Sequence, residues 1–228
     1  MDNSAIDSTW ARYLDAEDNC IRAVSLKCLD DVIAVLQSLS EAERTTWARE
    51  RARQTVDEKS NAPIRFPLFR DVLFPSLLSG IQSNEPGCAR WLAGLWELLY
   101  ESNECLSQLA ATQQTEMGLL LTALRVDPND DRARSRLIRV MSSHLAYSIH
   151  ELPAGVLYGY NGATIDQCAD LRAQLEDFQA LVSAHGVADE YTKLIAECEH
   201  HYVAYPAYLA DMDNYESYAD YLARTGAA

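Results

Sequence analysis

Apolar residues recur along most of this chain at intervals of three and four. Trp10, Tyr13, Leu14, Ile21, Val24, Cys28, Val32, Leu36 and Leu39 form one wide stripe of helical spacing, interrupted by the polar run 15–19. Ser40 and Glu43 then make a Ser-x-x-Glu capping box that opens a strongly charged helix over 41–57. A polar linker, 59–65, leads to Pro67, which suits the first position of the next helix. Phe69, Leu73, Phe74, Leu77, Leu78 and Ile81 supply that helix's apolar face, and Pro75 within it predicts a kink or a split.

After the Glu85-Pro86-Gly87 turn, Trp91, Leu92, Leu95, Trp96, Leu98 and Leu99 predict a helix that is apolar on most sides and therefore central. Short helices near 105–110 and over 115–126 follow. Asp127-Pro128-Asn129-Asp130 ends one helix and caps another over 131–150. Thr164 and Gln167 form a second capping box for a helix reaching His185, which Gly186 closes. A helix over 188–205 continues past Pro206 with a kink, and Tyr215, Tyr218, Tyr221 and Leu222 share one face of the last helix. No stretch alternates in twos long enough to make a strand; Gly155-Val156-Leu157-Tyr158 reads as a brief extended piece. The expected fold is all-α, a multi-helix bundle or an irregular array of helical hairpins, with about nine or ten helices. It forms a single domain over 1–228 that could divide into 1–112 and 113–228.

Leu121-Thr-Ala-Leu-Arg-Val-Asp-Pro-Asn-Asp-Asp-Arg-Ala-Arg-Ser-Arg-Leu137 resembles the junction between two tetratricopeptide repeats. An alanine-bearing helix end is followed by Asp-Pro-Asn and then by Ala133 and Leu137 of the next helix. No period of about 34 residues recurs elsewhere, so the segment is read as a helical hairpin that is TPR-like in this part alone.

Charge divides the chain. The net charge is −15, with 21 acidic and 16 basic residues in 1–140 but 13 acidic and 3 basic in 141–228. A C-terminal third of that sign repels nucleic acid and anionic membrane and attracts a basic protein. Arg49, Arg51, Arg53, Lys59, Arg65 and Arg70 form one basic-leaning stretch, and Arg132, Arg134, Arg136 and Arg139 a second. Acidic neighbours dilute both, and pairing with the acidic C-terminal region is expected of them. The six cysteines form no Cys-x-x-Cys pair, which suits reduced thiols in a cytoplasm. The N-terminus lacks the basic and apolar regions of a signal peptide, and no apolar run approaches the roughly 18 residues of a membrane span.

The clearest break in the helical pattern is 150–164, which carries Gly155, Gly159 and Gly162. It has neither the Gly-Lys-Ser/Thr of a phosphate loop nor the Gly-x-Ser-x-Gly of a nucleophile elbow. His150-Glu151 has the chemistry of a general base, but it also suits a helix C-terminus. Glu197-Cys198-Glu199-His200 contains a Glu-x-x-His motif, and Glu197 with His201 is an (i, i+4) pair. His144 and Glu151 could complete a metal-binding set. The second Glu-x-x-His motif of di-iron bundles is missing, so no metal or other cofactor is expected. The expected function is a non-catalytic, cytoplasmic protein-interaction module that grips a basic protein, with Tyr158, Tyr160, Asp211, Asp213, Tyr215 and Glu216 at the interface. A bacterial immunity or inhibitor protein for a cationic toxin is its concrete form. The alternatives are a metal-dependent bundle enzyme on Glu197, His200, His201, His144 and Glu151, and a helical-repeat scaffold.

Overall fold

Side chains of Ser40, Ser102, Thr115, Asp130, Thr164 and Ser217 cap six helix starts. The computed structural model describes residues 4–19, 22–60, 62–150 and 162–226. Among them are twelve α-helices of five residues or more and no strand, so the fold is an all-α multi-helix bundle. The count exceeds the expected nine or ten because the interrupted first stripe gives two helices, Ser4–Asp18 and Arg22–Ser38, and the stripe over 91–99 is broken at Leu95. The chain divides into two compact units, Met1–Arg134 and Ser135–Ala228. The extended piece expected at 155–158 lies outside the described residues.

In the first unit, α1 (Ser4–Asp18) packs along α2 (Arg22–Ser38). α3 (Glu41–Asp57) begins at the expected capping box: Ser40 Oγ accepts the Glu43 N–H at 3.3 Å, and Glu43 Oε2 accepts the Ser40 N–H at 3.1 Å. Trp10 and Trp47 meet edge to face at 5.4 Å and join α1 to α3. The linker that follows is held to α1, where the Tyr13 hydroxyl donates to the Pro63 carbonyl at 3.0 Å. Arg65 also clasps both oxygens of Glu17 at 2.7 Å.

The run 66–82 shows what Pro75 does. It comprises α4 (Phe66–Leu68), a π-helical turn (Phe69–Leu73) and α5 (Phe74–Gln82). The Phe74 N–H reaches back five residues to the Phe69 carbonyl. Proline has no N–H to give the carbonyl four residues back, and its ring would strike that carbonyl in a regular α-turn. The wider π turn relieves the conflict, so the expected kink is a change of register. Pro67 takes the second helical position rather than the first, where a missing N–H is equally tolerated.

The helix expected over 91–99 is two helices, α6 (Cys88–Gly94) and α7 (Trp96–Tyr100), because Leu95 leaves helical geometry at φ −103°, ψ 24°. Leu92, Ala93 and Leu99 are fully buried, so both halves reach the core, while Trp96 is half-buried and the neighbouring Tyr100 is 70% exposed. After α8 (Asn103–Ser107), Thr115 caps α9 (Glu116–Val126) by accepting the Gly118 N–H at 3.0 Å. Gly118 is required there, since a Cβ would lie 1.9 Å from the Thr112 carbonyl oxygen. α6 packs on α5 and α9, and α3 crosses α5, α6 and the π turn. Leu68, Phe69, Leu73, Leu77, Leu92, Leu119 and Leu120 are the fully buried centre.

α10 (Asp131–Ile149) contains the division between the units. In the second unit, α11 (Ile165–Ala184) opens on the Thr164/Gln167 capping box and closes on Gly186 at φ +73°. Gly186 donates to the Ser183 carbonyl and Val187 to that of Val182, a complete Schellman closure. A 3₁₀ turn (Ala188–Tyr191) leads into α12 (Thr192–Ala210), which packs on α11 and carries Pro206 inside it. α13 (Tyr218–Thr225) packs on α12. Tyr215 stands outside that last helix in extended backbone, contrary to the shared helical face expected for it.

Candidate functional site

The acidic end of the second unit is built on tyrosine. Tyr202 and Tyr218 are fully buried and Tyr205 nearly so. Their rings form a cluster: Tyr205 meets Tyr218 edge to face at 5.0 Å, and Tyr208 lies 5.5 Å from Tyr218 and 5.9 Å from Tyr221. Burial raises the pKa of Tyr202 and Tyr218, so both hydroxyls stay protonated. Tyr202 hydrogen-bonds Ser148 of α10, and the Tyr218 hydroxyl meets His201 Nδ1 at 2.8 Å. The C-terminal tyrosines therefore divide: the deep ones are core, and the outer ones hold up a surface.

That surface is the turn between α12 and α13. Asp211 ends α12, Met212–Asn214 is a 3₁₀ turn, and Ser217 caps α13 by accepting the Asp220 N–H at 3.1 Å. Arg224 ties the turn down. Its guanidinium donates to the Asn214 carbonyl at 2.9 Å and to Asp220 at 3.2 Å, and lies 4.8 Å from the Tyr215 ring centroid. Tyr215 is thereby half-buried, pressed between Arg224 and Tyr221. Asp211, Asp213 and Glu216 remain exposed around Met212, which is 51% exposed. Asp211 accepts a hydrogen bond from Asn214, whereas the Asp213 and Glu216 carboxylates make no ion pair with a described residue.

The same pattern extends over the unit. Asp166, Asp170, Glu176, Asp177, Asp189 and Glu190 are exposed and make no ion pair with a described residue. Lys193 approaches Glu197 at 3.7 Å. Six arginines of the two arginine-rich stretches pair with other acids than these. Arg49 pairs with Glu85, Arg53 with Glu50 and Glu58, Arg65 with Glu17, and Arg70 with Asp71. Arg132 pairs with Asp57 and Arg134 with Asp131. All of these acids lie in Met1–Arg134.

Of the interface residues expected from sequence, Asp211, Asp213, Tyr215 and Glu216 come together on one turn, and Tyr158 and Tyr160 lie outside the described residues. Of the metal candidates, Glu151 lies outside them as well. Among the described residues no group of three or more His, Cys, Asp or Glu side chains could hold a metal ion. Glu197 faces Lys193, and His201 is engaged by Tyr218, with the His200 ring 4.6 Å away. His144 sits half-buried in α10, where burial lowers its pKa. His150 stacks on Tyr147 at 4.8 Å, with Nδ1 2.6 Å from the Tyr147 carbonyl at the end of α10.

Two arrangements went unread in the sequence pattern. Arg90, Asp57 and Asp130 form a buried charge network, with Arg90 Nε donating to Asp130 at 2.7 Å and the Trp91 indole donating to Asp57 at 2.8 Å. Separations of 33 and 40 residues leave no local trace. Trp47 and Arg51 share a cleft wall, and their (i, i+4) spacing is the signal that could have joined them. No protein family, curated protein or solved structure matches this chain.

Proposed function

We propose that this is a non-catalytic protein-interaction module whose Ser135–Ala228 unit presents an acidic face to a basic protein. The supporting observation is the disposition of charge: the described acids of this unit are mostly exposed and most lack a cationic neighbour, while Tyr202, Tyr205 and Tyr218 are buried in the scaffold beneath. Solvated, unpaired carboxylates on a rigid support steer a cationic partner and set its orientation more than they add to stability. The turn bearing Asp211, Asp213 and Glu216 around exposed Met212 is the proposed centre of contact, with Tyr215 held under it. Met212 supplies the apolar contact that charge alone does not. An immunity or inhibitor protein that masks a bacterial toxin or nuclease is the concrete form proposed, acting in the cytoplasm, where the five described free cysteines would stay reduced. No helix among the described residues is long and apolar enough to cross a membrane.

The test is capture of a basic protein from native extract at low salt, its release at high salt, and its loss from a variant carrying Asp211→Asn, Asp213→Asn and Glu216→Gln. Binding that ignores both salt and these substitutions would reject the acidic-face reading.

A further inference from the structure

One buried side chain anchors α13. The helix spans eight residues, too few to persist alone in water. Tyr218 is its one buried residue, at 2% exposure, and its ring packs among Tyr205, Tyr208 and Tyr221. The Tyr218 hydroxyl meets His201 Nδ1 at 2.8 Å, and among the described residues this is the only hydrogen bond between α12 and α13. The turn before α13 depends on that anchor. Asp220 accepts the Glu216 N–H at 3.2 Å, and Arg224 holds the Asn214 carbonyl and the Tyr215 ring. Both side chains stand on α13, so the turn keeps its shape while α13 stays docked.

Tyr218 has no other acceptor among the described residues, so its O–H donates to Nδ1, and neutral His201 carries its own proton on Nε2. A second proton, on Nδ1, turns that acceptor into a donor. The buried hydroxyl then has nowhere to send its hydrogen, and a half-buried cation lies beside it. The surroundings do little to compensate. From α12, His200 lies 4.6 Å away and adds a like charge when protonated. Glu197, one turn back, favours the charged ring, but it is exposed and Lys193 approaches it at 3.7 Å. From α11, the buried Cys168 thiol lies near Tyr218 and stays neutral. The 3₁₀ turn packed on α12 carries Asp189 and Glu190 about three turns away. Burial and the His200 charge accordingly hold the His201 pKa below its ordinary value.

We propose that the His201–Tyr218 hydrogen bond is an acid-sensitive latch: a proton on His201 Nδ1 removes the acceptor that holds Tyr218, α13 undocks, and the turn carrying Asp211, Asp213 and Glu216 loses its shape. The latch is a property of this chain alone; its bearing on partner binding rests on the acidic-face reading.

The experiment is hydrogen exchange of the full-length protein, read as protection factors of the Tyr221–Arg224 amides against those of Leu171–Val182 in α11. Between pH 7 and pH 5 the α13 amides should lose about three- to tenfold in protection, and more than those of α11. In His201→Gln, whose amide oxygen accepts the Tyr218 hydroxyl without titrating, α13 should keep its pH 7 protection at pH 5. If that variant loses the wild-type circular dichroism spectrum at pH 7, Tyr218→Phe replaces it. Its ring still packs but strands no hydroxyl, so the pH step at α13 should fall below about twofold. A full step that persists in the folded variant, equal losses in α11 and α13, or no loss in α13 by pH 5 overturns the latch. None of these outcomes involves a partner, so the acidic-face reading stands or falls on its own salt test.

Discussion

The two units carry similar net charge but use it in opposite ways. Met1–Arg134 has 21 acidic and 14 basic residues, and Ser135–Ala228 has 13 and 5. In the first unit arginines work inside the fold: Arg65 staples the linker to α1, Arg49 reaches the turn after α5, and Arg90 is buried between two aspartates. In the second, buried hydroxyls and rings take that place, with Tyr202 bonded to Ser148 across two helices and Tyr218 to His201. A unit that joins its helices with neutral tyrosines leaves its carboxylates to the solvent. Net charge alone therefore says little about what a surface offers a partner; what matters is how many charges the fold has already used.

The sharpest way to break that comparison is Arg90→Leu. The side chains of Arg90, Asp57 and Asp130 are 11%, 5% and 9% exposed, so removing the cation leaves buried Asp130 without an ion pair and buried Asp57 with only the exposed Arg132 at 3.4 Å. Breaking a buried pair from one side costs about 3–5 kcal/mol. Urea unfolding should show that loss, whereas Lys193→Met, whose partner Glu197 is exposed, should change stability by less than about 0.5 kcal/mol. A loss below about 1 kcal/mol for Arg90→Leu would mean the first unit is held by apolar packing alone.

How much of this was legible beforehand follows from the range of each interaction. The capping boxes at Ser40 and Thr164 and the closure at Gly186 were readable because each is settled within a few residues. The all-α class followed from periodicity. The break at Leu95 was signalled only by Gly94 inside an otherwise helical pattern; why glycine stands there was not readable, since a Cβ would strike Val56 of α3, a contact set by tertiary packing. Pro75 announced a disturbance but not its form. In the candidate site, Asp211, Asp213 and Glu216 were visible as exposed acids. The buried role of Tyr202 and Tyr218 was not, because spacing by three and four places tyrosines on a face without saying which way that face looks. Most of the arginine pairing was hidden for the same reason: the partners lie far apart in sequence.

Acid should separate the two units by pH window. All five histidines lie in the second unit. His201 has its pKa lowered below 6.5, first by burial and then by the His200 charge, and burial alone lowers that of His144. The unfolded chain then binds protons that the folded unit resists, so stability contributed by these groups is lost as pH falls through 6.5 toward their lower folded values. In the first unit, Arg65 lowers the pKa of Glu17, and Arg53 lowers that of Glu50 to about 2. Their contribution is present above 4.5 and is lost only as pH falls below it. Hydrogen exchange at pH 7, 5 and 3.5 should show α11 to α13 loosening at the middle value and α1 to α3 at the lowest. His201→Gln should reduce the first step. Loosening of both units together at pH 5 would tie them into one cooperative block.

The smallest expected effect tests the comparison from the other side. Asp213→Asn with Glu216→Gln removes two exposed carboxylates that make no ion pair with a described residue. Neither side chain caps α13, which relies on Ser217 and on the Glu216 backbone N–H donating to Asp220. The double variant should therefore unfold within about 0.5 kcal/mol of the wild-type protein. Its midpoint should also depend less on salt, because two members of a mutually repelling set are gone. A loss above about 1 kcal/mol would show that these acids stabilise the turn, as the arginine partners do in the first unit. If stability is unchanged, the charges are free for an external partner, and the cost of keeping them is the repulsion that added salt screens.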